Sequence, residues 1–127
     1  MKKHYKALPN NVLIGQRNWR VVVSNEKEHP ELSEAWAYYD GAHDEIIVRD
    51  NMTAGRLRIA LIHEILHAIR YCTMNEAGAI ELQGEEEDVT DFMMRMEHYY
   101  IFTWAEPLLI VMRNNPKLLK FLLSKAD

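Results

Sequence analysis

The sequence contains a single cysteine, Cys72, among its 127 residues. One cysteine has no partner for an intramolecular disulfide, so a disulfide-stapled fold is excluded and a reducing compartment is the simpler environment. Runs of lysine or arginine are also missing, and the formal net charge is -4. Because binding to nucleic-acid phosphates requires a basic surface, we expect no nucleic-acid partner.

Long apolar segments are missing as well. The most apolar stretch, residues 99–112, is shorter than the roughly 20 residues that cross a bilayer, and Glu106 and Pro107 interrupt it. Two lysines follow Met1, but no apolar segment of a secretory signal comes after them. We therefore predict a cytoplasmic protein with no membrane partner.

The composition that is present fits one folded domain. Hydrophobic residues make up 48% of the chain and charged residues 27%, as in an average soluble domain. A chain of this length buries one core and is too short for two ordinary ones. The sequence predicts a single domain over residues 1–127 and leaves its oligomeric state open.

The first half of the chain has the residue pattern of β-hairpins. β-Branched runs at 12–14 and 19–23 flank a turn-like insert, and a second pair of β-favouring runs, 35–39 and 45–49, flanks a turn that contains Gly41. Two hairpins in succession predict a small antiparallel sheet.

A helical pattern follows Asp50. Apolar residues between Leu57 and Ile69 occupy nearly the whole circumference of a helix, so we expect this helix to be buried on most sides, with Thr53 as its N-cap. A second helix is expected to start around Glu85 and to end or kink at Pro107. A last helix is expected after Asn115 as N-cap, with Pro116 at its first position. The predicted fold class is α+β, with the sheet packed on the buried helix.

The residues His63-Glu64-Ile65-Leu66-His67 form an HExxH motif inside the long helix. Histidines at i and i+4 lie one above the other on one helical face, which directs both imidazoles toward one point. Glu64 projects beside that face, where its carboxylate can accept a proton from water that a metal activates. The motif predicts that His63 and His67 bind Zn²⁺ and that Glu64 is the catalytic general base.

The alternative is a chance match in a helix whose histidines are satisfied core residues. Burying three polar side chains without a partner would cost several kcal/mol. A bound metal would offset that cost, so the position of the motif in an apolar helix favours a metal site.

Catalytic zinc sites usually have three protein ligands, so one more is needed. The acidic cluster 85–88 opens the next helix, and an antiparallel helix can return a carboxylate to the same metal. A ligand one turn before the apolar Val89 should point inward, which favours Glu86 or Glu85 over Glu87. We predict Glu86 as the third ligand.

These motifs resemble the ImmA/IrrE-type zinc metallopeptidases, especially the short forms common in phages and prophages. The resemblance covers roughly residues 38–96 and is specific at Leu61-Ile62-His63-Glu64-Ile65-Leu66-His67-Ala68. The family's second motif, Glu-x-x-Ala-Asn-x-Phe-Ala, matches at Glu86 and Phe92, whereas Thr90 stands where the family has Asn.

The resemblance implies a minimal zincin-like fold, Glu86 as the third zinc ligand, and a protein or peptide substrate. It also implies that the strand 45–49 flanks the active-site cleft and offers its edge to an extended peptide. The preferred function is hydrolysis of peptide bonds by metal-activated water. Two alternatives stay open: a non-catalytic zinc-binding module that acts through protein contacts, and a zinc amidohydrolase that acts on a small substrate.

Overall fold

A computed structural model describes residues 3–73 and 89–124 of the chain. The strands are β1 (Asn11–Ile14), β2 (Arg17–Ser24), β3 (Ala37–Asp40) and β4 (Glu45–Arg49), with a 3₁₀ helix (Pro30–Ser33) between β2 and β3. The α-helices are α1 (Lys3–Lys6), α2 (Ala54–Thr73), α3 (Val89–Asn114) and α4 (Pro116–Leu123). The predicted α+β class is confirmed.

The four strands form one mixed sheet in the order β1-β2-β4-β3. Both predicted hairpins are present, because β1 pairs antiparallel with β2 and β3 pairs antiparallel with β4. However, β2 and β4 run parallel to each other, so the prediction of an antiparallel sheet is wrong. The β3–β4 hairpin joins the β1–β2 hairpin through β4, which pairs with β2.

The burial of β4 explains this docking. Ile46, Ile47 and Val48 are successive residues that are all buried, so both faces of β4 are covered, which suits an interior strand. In β3 only Ala37 is buried, whereas the other three residues are partly exposed, as expected at an edge. The alternation within each run predicts a hairpin, but it does not show which strand of the hairpin lies inside.

Helix α2 packs one face against the sheet. Leu57, Leu61, Ile65 and Ile69 recur every four residues, are buried, and join the residues of the strands in one core. The helix begins as predicted, since the Thr53 hydroxyl oxygen accepts a hydrogen bond from the Arg56 amide at 3.3 Å.

The opposite face of α2 is open to solvent. Ile59 is 64% exposed, and Ile62 is also exposed. The prediction that this helix is buried on most sides is therefore wrong. Among the described residues, α2 contacts the sheet, α3 and, through Arg58, Phe121 of α4, and these cover part of its circumference.

Helix α3 continues through Pro107 to Asn114, so Pro107 does not end it. Beyond Pro107, Val111 is buried and Asn115 anchors the chain to β1. The Leu13 amide donates to Asn115 Oδ1 at 2.9 Å, and Asn115 Nδ2 donates to the Leu13 carbonyl at 3.0 Å. Pro107 has no backbone N–H and so lacks one hydrogen bond of the helix. The contacts of Asn115 with β1 hold the end of the helical segment that follows Pro107.

The last helix, α4, starts at Pro116 as predicted, although the Asn115 side chain binds β1 and makes no cap hydrogen bond. The predicted start of the second helix near Glu85 lies outside the described residues. None of the described helices combines the length and the apolar character that crossing a bilayer requires.

Candidate metal centre

His63 and His67 lie one turn apart on α2, with their Nε2 atoms 3.0 Å from each other. Two nitrogen ligands about 2.0–2.1 Å from a tetrahedral zinc ion are about 3.3 Å apart, so this spacing fits a shared metal. One ligand atom from each of His63, Glu64 and His67 falls within 4.8 Å of the others. The structure brings together the three residues of the motif.

The three side chains differ in exposure. The His63 side chain is 66% exposed, His67 is half-buried, and the Glu64 side chain is only 8% exposed. The cost of burying polar groups therefore applies mainly to Glu64 and only partly to the histidines. The exposure of His63 leaves the centre open to solvent.

The environment of Glu64 favours its protonated form. Burial raises the pKa of its carboxyl group, and the nearby His63 partly opposes the shift. Glu64 Oε1 lies 4.0 Å from His63 Nε2. A carboxyl pKa closer to neutral suits a group that must take up and release a proton.

The environment of His67 favours its neutral form. Burial lowers the pKa of the His67 imidazole, and the positive charges of His63 and Arg70 lower it further. Metal ions bind the neutral imidazole. His67 is therefore held in the protonation state that a metal ligand requires.

We expect Glu64 to reduce the stability of the metal-free chain at neutral pH. The pKa of Glu64 is higher in the folded chain than in the unfolded chain. Protonated Glu64 therefore favours the folded state below the unfolded-state pKa, and this stabilisation is lost as the pH rises through the folded-state pKa. Glu64→Gln should therefore raise the free energy of unfolding in EDTA by about 1 kcal/mol at pH 7.5 and by much less at pH 4. Urea unfolding at both pH values measures this difference.

The control for this measurement is Glu26→Gln, which removes an exposed carboxylate. We expect it to change the free energy of unfolding by less than about 0.5 kcal/mol at either pH. An equal effect of Glu64→Gln at both pH values would contradict the assignment of the cost to the buried charge.

Tyr39 of β3 stacks on His67, with ring centroids 5.3 Å apart and an interplanar angle of 15°. Tyr71, one turn after His67 on α2, meets Tyr39 edge-on at 6.1 Å. The Tyr71 ring in turn covers Gly41, where a side chain would collide with it. The hairpin β3–β4 thus fixes the orientation of the His67 ring, through a long-range contact that has no local sequence signal.

We expect Tyr39→Leu to weaken zinc binding about tenfold, because groups that orient a metal ligand contribute about 10–100-fold to affinity. Tyr39→Phe keeps the stacked ring and should bind zinc like the parent chain. Competition against a chromophoric chelator measures both affinities. Unchanged affinity in Tyr39→Leu would refute an orienting role, and an equal loss in Tyr39→Phe would assign that role to the hydroxyl group.

Two cavities border His63, one toward each end of α2. Both have a volume of about 290 Å³. The cavity toward the C-terminal end of α2 is lined by His63, Leu66, His67, Arg70 and Trp104. The cavity toward the N-terminal end includes Glu64, His63, Trp36, Arg56 and Ile59 in its lining. Among residues 3–73 and 89–124, the candidate centre is therefore open on both sides along the helix.

Two expectations about the surroundings of the centre have different outcomes. Glu86, together with the alternative Glu85, lies outside the described residues, so the third ligand stays a prediction. The strand Glu45–Arg49 is paired with a neighbour on both sides, so it does not offer the edge expected of it. Because β4 lies inside the sheet, the edge strands are β1 and β3, and of these two β3 makes the more extensive contact with α2.

No protein-family model, curated protein or solved structure matches this chain.

Proposed function

We propose that this chain is a zinc-dependent peptidase in which His63 and His67 bind the metal and Glu64 is the general base. One observation carries the proposal: two imidazole nitrogens 3.0 Å apart stand beside a buried carboxylate on the same helix. Burying a carboxylate costs free energy unless a charged or hydrogen-bonding partner compensates it. A metal centre gives all three side chains a role.

In amide hydrolysis the two histidines would bind the metal and Glu64 would transfer the proton. A zinc ion bound by the two imidazoles would lower the pKa of water and polarise a peptide carbonyl. Glu64 takes a proton from the attacking water at a carboxylate oxygen and delivers it to the leaving amine. Its raised pKa suits both transfers, since the group must bind the proton and then give it up.

Within residues 3–73 and 89–124, no strand pairs with the outer side of β3, which supports an extended peptide as the substrate. The Arg49 amide donates to the Trp36 carbonyl at 3.0 Å, and hydrogen bonds alternate along an antiparallel pair. The backbone N–H and C=O groups of Ala37 and Tyr39 therefore point away from β4. A peptide that adds to this edge as a further strand would pair with them, beside the helix that carries His67.

The proposal extends to the fold family. A small sheet beside an HExxH helix is compatible with a minimal zincin-like arrangement, and the sequence motifs resemble the short ImmA/IrrE-type metallopeptidases. On this proposal the protein acts on a protein or peptide substrate.

The third ligand is tested by three matched variants. We expect Glu86→Gln to weaken zinc binding by about 10²-fold, because it removes one of the few ligands that hold the ion. Glu85→Gln and Glu87→Gln remove the same charge from neighbouring positions and should leave the affinity within a few-fold of the parent chain. Chelator competition on all three compares them directly. A loss in Glu85→Gln and none in Glu86→Gln would move the third ligand by one residue.

The proposed function is tested by metal analysis followed by an activity assay. We expect about one zinc per purified, untagged chain by mass spectrometry, and hydrolysis of unfolded protein substrates that stops with a chelator and returns with zinc. Zinc without hydrolysis of peptides, but with hydrolysis of small acyl amides, would favour the amidohydrolase. Zinc without any hydrolysis would favour the non-catalytic module, and no zinc after reconstitution would overturn the proposal.

A further inference from the structure

Arg56, His63 and Arg70 follow one another at intervals of seven residues on α2. Seven residues are nearly two helical turns, so the three side chains lie close to one line along the helix. At 1.5 Å per residue, each arginine is about 10 Å from His63 along the helix axis. Each cavity next to His63 extends to one of these arginines.

Arg56 stands at the end of the cavity that also contains Glu64. Its guanidinium lies 5.2 Å from the centroid of the Trp36 ring, and Arg49 lies at the same distance from that ring. Trp36 is 46% exposed, so this aromatic and cationic group faces solvent. Stacking on a ring leaves the guanidinium N–H groups available to a carboxylate.

Arg70 stands at the end of the other cavity. Its Nε is buried without a hydrogen-bond partner in the described part of the chain. Within the same residues, neither Arg56 nor Arg70 forms an ion pair with a carboxylate. Two arginines to which no described carboxylate is paired thus stand on either side of His63, whereas the net charge of the whole chain is -4.

The two cavities beside His63 together form a cleft along α2. We propose that this cleft selects acidic peptides, with one substrate carboxylate bound by Arg56 and another bound by Arg70 on opposite sides of the scissile bond. An extended peptide rises about 3.3 Å per residue, so each acidic side chain would be about three residues from that bond. The two arginines are complementary in charge to such a substrate, and arginine matches the planar geometry of a carboxylate. This inference rests on the proposed function, because it takes His63 as the centre of the cleft.

Binding is measured without hydrolysis in the zinc-loaded Glu64→Gln variant of the 127-residue chain. The probes are fluorescein-labelled peptides with blocked ends and a short randomised centre, flanked by Glu or by Gln on each side, including the two mixed combinations. We expect peptides with Glu on both sides to bind about tenfold to hundredfold more tightly than those with Gln, because charge-assisted hydrogen bonds are the stronger kind. Fluorescence anisotropy gives the dissociation constants.

The arginine variants assign the two sides. Adding Arg56→Gln should remove the preference for Glu on one side of the peptide only, and Arg70→Gln should remove it on the other side only. Lys120→Gln, which makes the same charge change on α4, should leave both preferences unchanged. Zinc content is measured for each protein, so that a lost metal is not taken for a lost contact.

Each result separates this inference from the proposed function. Equal affinity for Glu and Gln peptides, no binding of either, or loss of both preferences in a single arginine variant would overturn the inference. A Glu preference with no hydrolysis by the zinc-loaded parent chain would support it and overturn the peptidase proposal. Hydrolysis of Glu and Gln peptides at equal rates by the parent chain would support the peptidase proposal and overturn the inference of acidic selectivity.

Discussion

Replacing Glu64 by Gln is expected to lower the rate of peptide hydrolysis by about 10²–10⁴-fold, the range that general acid–base groups contribute. Glutamine has the same shape but cannot take a proton from water or deliver one to the leaving amine. Since Glu64 is not predicted as a metal ligand, the variant should keep about one zinc per chain. Initial rates and zinc content, measured on the same preparation, test both statements.

The matched control is Glu26→Gln, which removes an exposed carboxylate from the turn after β2. It should leave both the rate and the zinc content unchanged. A Glu64→Gln chain that hydrolyses peptides at the parent rate would exclude Glu64 as the general base. A chain that loses its zinc would instead identify Glu64 as a ligand, a role that its position near His63 Nε2 permits.

Local patterns predicted the elements that carry the candidate centre. The HExxH spacing placed His63 and His67 on one face of a helix, and the structure has their nitrogens side by side. Thr53 before an apolar run predicted where that helix begins. Both features depend on residues within one or two turns of each other, where helix geometry leaves little freedom.

Features that depend on contacts distant in sequence were not predicted. The β3–β4 hairpin follows from its own residues, but its docking through β4 depends on which strand has both faces covered. The stacking of Tyr39 on His67 is a consequence of that docking. Likewise α3 continues through Pro107, and Asn115, next to its last residue, is hydrogen-bonded to β1.

The positions of the cleft arginines could be predicted from the sequence, but their surroundings could not. The seven-residue spacing of Arg56, His63 and Arg70 is visible in the sequence, and helix geometry alone places them in line. Their surroundings are not visible there, since Trp36 lies on the segment before β3 and Trp104 on α3. A charged helix position therefore becomes part of a cavity only once the sheet and α3 are in place.

Replacing either His63 or His67 by Ala is expected to weaken zinc binding by about 10²–10³-fold. Structural zinc sites of four ligands bind with about 10–16 kcal/mol, which assigns each ligand roughly a quarter of that free energy. Zinc content should fall from about one per chain to near zero after dialysis, and hydrolysis should fall with it. His43→Ala is the control, because His43 is exposed in the β3–β4 turn and pairs with Asp40 at 2.8 Å.

The two histidine variants should differ once the metal is removed, and this difference separates ligation from folding. His63 is largely exposed, so His63→Ala should leave the unfolding free energy of the metal-free chain within about 0.5 kcal/mol of the parent. His67→Ala also removes the ring that stacks on Tyr39, an aromatic contact worth about 0.5–1.5 kcal/mol. We therefore expect both variants to lose zinc equally but only His67→Ala to lose stability without metal, because only the His67 ring packs against a side chain of the sheet. Retention of zinc in either variant would show that other residues hold the metal.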